Sequence, residues 1–572
     1  MKKLFYVLSG LACSAMLVTS CSSLKKMRKN MNDITYKVTP TVLEAQGGQV
    51  ALRIDATIPQ KYFAKKVILT ATPMLKFGDK MAEYTPLVMQ GEKVQGNNMV
   101  VPYKEGKALN YSSIIPYTPE MRKSDLVVKF YGQKGSKELT FISPEIAEGV
   151  NSTAYLVNID PKLAIAGDNF QRDVDKSEEG DIKYNINSTQ IRRSEARGQE
   201  MKNVKEFLKK VKANERLKLN NVEIRSYASP DGTLNFNEKV SKGRDKSSTN
   251  YAKRNFKKEI SGVSAYEDIL KKYVVAEDWD GFKEALEKSN IQDKDLILRV
   301  LSMYSDPEVR EREIRNISSA FTSVAKEILP QLRRSRFIVK ITEYGKKDNE
   351  IKELIKNNPE SLSLEELLYS VNLFDNDSEK LDIFDNVINL YPNDWRAYND
   401  VAVLLCKQGS FADSKEYFEK AKDLSGKNPI VMNNLGAIAL RNNELDKAEV
   451  YFGTASSLGE TVNYNKGILA ILNGKYNDAV NYFNNDKSAN AALANLLDGK
   501  IGVASQLLAN ADSSAKTYYL KAVVAARAKR IDDVLSNLKN AIQKDSSMKA
   551  LAASDVEFMT YRENSEFMSL TK

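Results

Sequence analysis

Alternation of apolar and polar positions governs the first quarter of the chain. In QVALRIDATIP, Val50, Leu52 and Ile54 fall on one face of an extended strand, and KKVILTATP and LVVKFYG read the same way. Gly47-Gly48, Phe77-Gly78-Asp79, Gly96-Asn97 and Gly132 separate these runs as turn signals. The pattern predicts an all-β sandwich over 33–160.

Further along, the period changes. DIKYNINSTQIR reads as a strand, and QEMKNVKEFLKKVK sets Met201, Val204, Leu208 and Val211 on one helical stripe. The strand VEIRSYA, the turn Pro230-Asp231-Gly232 and a helix from near Asn237 to Lys257 follow, and LRRSRFIVKITEYG from Leu332 closes the series with a strand. This order predicts an α+β domain over 175–346, its helices on one face of a small sheet. It is interrupted at about 259–330 by a helical insertion in which Trp279 is a core anchor. A linker is expected at 347–360.

The last third repeats itself. NDVAVLLCKQGSFADSKEYFEKA aligns with NNLGAIALRNNELDKAEVYFGTA when Gly409 is set on Asn443, an offset of 34 that also places Phe418 on Phe452 and Ala421 on Ala455. Looser copies begin at Gly474, Gly499 and Lys529. No such unit buries its apolar face alone, so stacking is required, with Gly436, Ala448 and Ala455 allowing close helix approach and Phe418, Phe452 and Phe483 filling the gaps. The period resembles that of tetratricopeptide repeats, which implies about six repeats in an all-α solenoid over 361–572 whose groove grips peptides or partner proteins.

Composition narrows the chemistry. With 572 residues the chain exceeds one core, and 42% hydrophobic with 28% charged residues is the balance of a globular protein. The net charge of +10 is thinly spread and gives no indication of nucleic acid binding. There is no histidine, which excludes Ser-His-Asp and Cys-His catalysis and every histidine metal site. Cys406, on the first helix of a repeat, is expected to be a buried, inert thiol. No cofactor and no metal is expected, and no paired acidic motif suggests an enzyme.

The amino terminus carries an address. MKKLFYVLSGLACSAMLVTSC joins two lysines, an apolar run and small residues, the three parts of a secretory signal over 1–20. Val18, Thr19, Ser20 and Cys21 resemble the lipobox of bacterial lipoproteins, which implies acylation of Cys21. Acyl chains contribute about 0.8 kcal/mol per buried methylene, enough to hold the chain on a bilayer without a spanning helix. Residues 21–32 are then expected to be a flexible basic tether. Ser22 and the lack of an acidic export run resemble Bacteroidetes-type outer-membrane lipoproteins facing the periplasm.

Tyr227, Gly232, Asn237, Ser241 and Arg244, with the late Arg333-Arg334, resemble the pattern of the OmpA-like peptidoglycan-binding domain. That family holds diaminopimelate between an aspartate and an arginine, charge-assisted at both ends. Arg244 takes the arginine place, near the start of its helix where a cation is disfavoured, whereas Ser229 stands in the aspartate place. Asp231, two residues on, is the candidate substitute, with Asn237 beside it.

The fold class expected is therefore multidomain: an Ig-like sandwich, an OmpA-like α+β domain with helical insertion, and a tetratricopeptide solenoid. The function implied is a non-catalytic envelope scaffold, lipid-anchored at Cys21 and contacting peptidoglycan through Ser229, Asp231, Asn237 and Arg244 and a protein partner through the solenoid groove. The alternative is a structural subunit of a surface layer or secretion complex in which the OmpA-like part binds no peptidoglycan.

Overall fold

The computed structural model describes residues 22–260, 266–291 and 293–572. The signal sequence and Cys21 lie outside the described residues. Two compact units emerge: one runs up to Gly167 and resumes over Ile388–Lys572, and the other is Asp168–Val387.

The first unit begins with two β-sheets. Strands Thr35–Thr39, Gln49–Ile58, Leu43–Gln46 and Val150–Asn151 lie in that order, with Lys107–Pro116 also paired to Gln49–Ile58. Strands Lys137–Ile142, Asp125–Lys134, Ile68–Phe77, Leu87–Gly91 and Met99–Val101 order the second sheet. Burial along Gln49–Ile58 alternates, and Val50, Leu52 and Ile54 meet Leu75, Phe77 and Leu126 of the other sheet in the core. The alternation read from the sequence is thus the inward face.

The segment expected as a flexible tether is ordered. Ser22–Lys29 is a helix whose Leu24 and Met27 are fully buried against Tyr62, Phe63 and Leu69. Two apolar residues three apart in a basic run make a narrow helical stripe, and the β domain offers it a socket: a Cβ on Gly132 would come within 2.7 Å of Leu24 Cδ2.

The rest of this unit is a tetratricopeptide-like solenoid. Its helix pairs are Trp395–Lys407 with Phe411–Ser425, Pro429–Arg441 with Leu445–Thr454, Glu460–Leu472 with Tyr476–Tyr482, Ala489–Leu497 with Ile501–Ala509, and Ala515–Arg527 with Ile531–Lys544. The residues that mark the repeats in sequence are the turns inside each pair: Gly409, Asn443, Gly474, Gly499 and Lys529 have φ of 85°, 57°, 71°, 80° and 59°. Glycine takes this left-handed conformation most easily, and Asn443 and Lys529 adopt it at some cost. Phe418, Phe452 and Phe483 are buried, and a Cβ on Gly436 or Gly467 would lie 2.6 or 2.5 Å from the ring of Phe452 or Phe483. The β sheets and the solenoid also bind each other. Gln46 Nε2 donates to the Gly474 carbonyl at 2.8 Å, Thr153 Oγ1 donates to Glu557 at 2.6 Å, and Glu148 pairs with Arg562.

The second unit is α+β. Strands Asp173–Lys183, Arg334–Tyr344, Leu217–Tyr227 and Leu270–Val275 lie in that order; the last pairing is parallel and the other two antiparallel. Helix Gln199–Ala213 packs the expected stripe of Met201, Val204, Leu208 and Val211 onto the sheet. The insertion is helical as expected, with its own core in which Trp279 meets Phe282 edge-on, but it also supplies the edge strand Leu270–Val275, which the charged run LKKYVV concealed. The expected linker at 347–360 contains the helix Asp348–Asn357, whose Ile351 and Ile355 are buried.

Candidate functional site

A chain of buried polar side chains lines the solenoid groove of the first unit. Between the β sheets and the end of that stretch, residues 157–166 run as an extended chain inside the groove, antiparallel to the order of the repeats. Asn490 Oδ1 accepts from the Asn158 N–H, and its Nδ2 donates to the Asn158 carbonyl, both at 2.8 Å. Asn465 does the same for Lys162 at 2.7 and 2.9 Å, and Asn434 for Ala164 at 2.8 and 2.7 Å. Asp400 Oδ1 accepts from the Ala166 N–H at 2.7 Å. Each asparagine amide copies the donor and acceptor of a neighbouring strand, so the groove reads the backbone of Asn158, Lys162, Ala164 and Ala166.

The readers are themselves held. Asn434 Nδ2 donates to Asn399 Oδ1, and Asn465 Nδ2 to Asn433 Oδ1, both at 2.9 Å. Asn399, Asn433, Asn434 and Asn465 are fully buried, so their hydrogen bonds are formed away from competing water. Side chains of the segment add register: Tyr464 Oη donates to Asp160 at 2.9 Å, and Lys162 lies over the Tyr464 ring and 3.2 Å from Asp486. Ile159 and Ile165 face outward and are exposed. Burial pushes the Asp400 carboxyl up to about 7.

These residues were missed in the sequence, although a signal exists. Asn399-Asp400 and Asn433-Asn434 stand 34 apart, in step with the repeats, on helix faces where the neighbouring positions are apolar. A polar pair recurring inside an apolar face marks a lined groove. Cys406 is buried and raised in pKa by that burial, with Sγ 3.2 Å from Ser414 Oγ.

The residues singled out for peptidoglycan contact lie together in the second unit. Asp231 Oδ2 accepts from Arg333 Nη2 at 2.9 Å, Ser229 Oγ donates to Asp231 Oδ1 at 2.7 Å, and Arg333 Nε donates to Ser229 Oγ at 3.3 Å. Asn237 Nδ2 donates to the Gly232 carbonyl at 2.8 Å and to Glu277 at 3.3 Å, fixing the turn against the helix. Arg334 pairs with buried Asp278 at 2.9 Å. Arg244 is only 1% exposed and donates to the carbonyls of Tyr227, Ser188 and Asn185 at 2.8, 3.0 and 3.3 Å, with Tyr184 under its guanidinium. Burial lowers its pKa to about 10, and Arg333 adds to the effect.

Two expectations change here. The helix bearing Arg244 spans Leu234–Asn255, so Arg244 is central in it and the unfavourable helix start does not apply. Asp231 is already neutralised by Arg333, and the three N–H groups of Arg244 named above are spent on backbone carbonyls. Among the described residues, no group of three or more His, Cys, Asp or Glu could hold a metal ion, and no helix is long and apolar enough to cross a membrane.

No protein-family model matches this chain, and no curated protein does. Solved structures match at low identity. A tetratricopeptide repeat protein from Parabacteroides merdae is 14% identical over 36% of this chain and 89% of its own, with a TM-score of 0.28. Pseudomonas aeruginosa pilF is 16% identical over 39% of this chain and 98% of its own, TM-score 0.28. Yeast Tom70 is 13% identical over 59% of this chain and 63% of its own, TM-score 0.25.

Proposed function

We propose that this chain is a non-catalytic scaffold of the bacterial cell envelope, held on the outer membrane by acyl chains on Cys21 and facing the periplasm. In this reading the β domain is an Ig-like sandwich, the α+β unit is an OmpA-like domain that contacts peptidoglycan, and the solenoid engages protein. The observation that carries the protein-binding part is the groove: an asparagine ladder built to grip an extended polypeptide through its backbone, with residues 157–166 in place as its occupant. A partner would engage the remaining solenoid surface or displace that segment.

The peptidoglycan part rests on Arg244, Asp231 and Arg333 standing together beside the Gly232 turn. Sedimentation with purified sacculi tests it. Wild-type protein should pellet with the sacculi, and Asp231→Ala with Arg333→Ala, which remove a mostly covered ion pair that is still less buried than Arg244, should leave it in the supernatant. A wild-type protein that stays in the supernatant would overturn the peptidoglycan contact.

A second reading, a structural subunit of a surface layer or secretion complex, is favoured by one observation. Ser229 stands where the family has aspartate, and Asp231 is engaged by Arg333, so the zwitterion clamp is incomplete. It requires no sacculus binding and, for a surface layer, digestion of the protein by protease added to intact cells.

A further inference from the structure

The basic run after Cys21 is fixed rather than loose, and this gives the first unit a directed face. At 100° per residue, the buried Leu24 and Met27 point to one side of helix Ser22–Lys29, and Lys25, Lys26 and Lys29 fall within about 50° of the opposite direction. Arg28 flanks them, and the helix carries no acidic residue. The helix is pinned by more than burial: Tyr62 Oη donates to the Met27 carbonyl at 3.0 Å, and Lys134 Nζ donates to Ser23 Oγ at 2.8 Å. That last bond brings the hairpin between strands Asp125–Lys134 and Lys137–Ile142 beside the helix, adding Lys134 and the exposed Lys137 to the same region. Lys25, Lys26, Arg28, Lys29, Lys134 and Lys137 form no ion pair among the described residues, and the acids nearby in sequence are Asp33 and Glu138, the latter bonded to Gln133.

We propose that this helix and hairpin form a docking face for anionic phospholipid headgroups, which lays the β domain against the bilayer instead of letting it hang from a tether. The inference rests on the membrane-anchored reading and deepens it. Six unpaired cations on a rigid support attract a negatively charged surface at about 1 kcal/mol each, equivalent to about fivefold in affinity per cation. A rigid helix presents them without the ordering cost a flexible tail would incur on binding. The acyl chains and the cations would then act together, the two-signal arrangement stable anchoring requires.

The test separates this face from the lipid anchor. The chain starting at Ser22, which keeps every described residue and carries no lipid, is sedimented with phosphatidylcholine vesicles and with vesicles of phosphatidylcholine and phosphatidylglycerol. Binding is expected only to the anionic vesicles and should weaken as salt is raised. Neutralisation of Lys25, Lys26, Arg28 and Lys29 to Gln, which leaves Leu24 and Met27 in place, should reduce binding by roughly two to three orders of magnitude, with circular dichroism confirming an unchanged fold. Lys415→Glu with Lys420→Glu, on the solenoid, should bind as wild type. Equal binding to neutral vesicles, or no loss in the fourfold variant, overturns the proposal. Acylation of Cys21 is read separately, from the mass of the mature amino terminus, so either idea can fail alone.

Discussion

Arg244 was singled out as a ligand-binding arginine, and its environment makes it a structural one as well. Three backbone carbonyls, those of Asn185 and Ser188 in one loop and that of Tyr227, converge on its guanidinium, and a shorter or apolar side chain leaves them without a donor at a cost of about 1–3 kcal/mol each. Arg244→Met is therefore expected to lower the stability of the α+β unit by about 3 kcal/mol or more. The chain has two tryptophans, Trp279 in this unit and Trp395 in the other, so urea unfolding followed by fluorescence in a Trp395→Phe background reads this unit alone. Asp400 gives a pH signature in the other unit. Its folded pKa of about 7 exceeds the ordinary 3.8, so the folded chain keeps a proton that the unfolded chain loses. Its contribution to stability is full below about pH 4 and falls as pH rises through 7. Arg396 opposes the shift and Asp394 adds to it, but burial dominates. Asp400→Asn keeps the acceptor for the Ala166 N–H without the charge, and should flatten the dependence in pH-resolved unfolding monitored by Trp395 in a Trp279→Phe background.

At the scale of elements, the solenoid depends on close helix approach and on its occupied groove. Gly467→Val drives a branched side chain into the Phe483 ring, where even a Cβ lies 2.5 Å away, and is expected to destabilise the first unit by about 1–3 kcal/mol; thermal unfolding measures it. In the groove, Asn465 holds both the N–H and the carbonyl of Lys162. Asn465→Ala removes both bonds, and hydrogen exchange of the Lys162 amide should accelerate by at least about tenfold, while amides in the β sheets keep their protection. Unchanged exchange at Lys162 would mean the segment is held by its side chains instead. The repeat register was legible in the sequence because left-handed turns demand Gly, Asn or a strained residue at a fixed place, and Gly409, Asn443, Gly474, Gly499 and Lys529 mark it. The groove occupant was not legible. VNIDPKLAIAG alternates apolar and polar residues as far as Lys162, which is compatible with an extended chain but says nothing of the asparagines, Asp400 and Tyr464 that hold it.

For the molecule as a whole, the lipid anchor proposed at Cys21 makes the coarsest prediction. Membranes washed with high salt should retain the mature protein, and Cys21→Ser should release it, measured by fractionation and immunoblot; retention of the variant would remove the acyl chains from the scheme. The β domain and the solenoid read as separate domains in the chain, yet they share one compact unit, tied by Gln46 to Gly474, Thr153 to Glu557 and Glu148 to Arg562. Contacts between residues more than 400 apart leave no periodic trace, so no local pattern announces them.

Periodicity determined the inward faces of the strands, the stripe from Met201 to Val211 and the repeat spacing, because burial of one face imposes a period of 2.0 or 3.6 on whatever sequence obeys it. The tertiary structure alone decided which polar side chains meet: that Asp231 answers Arg333, that Arg244 serves backbone carbonyls, and that the groove holds the chain's own segment. Hydrogen bonds and ion pairs depend on atoms arriving within about 3 Å from distant parts of the chain, and only the packed molecule fixes that.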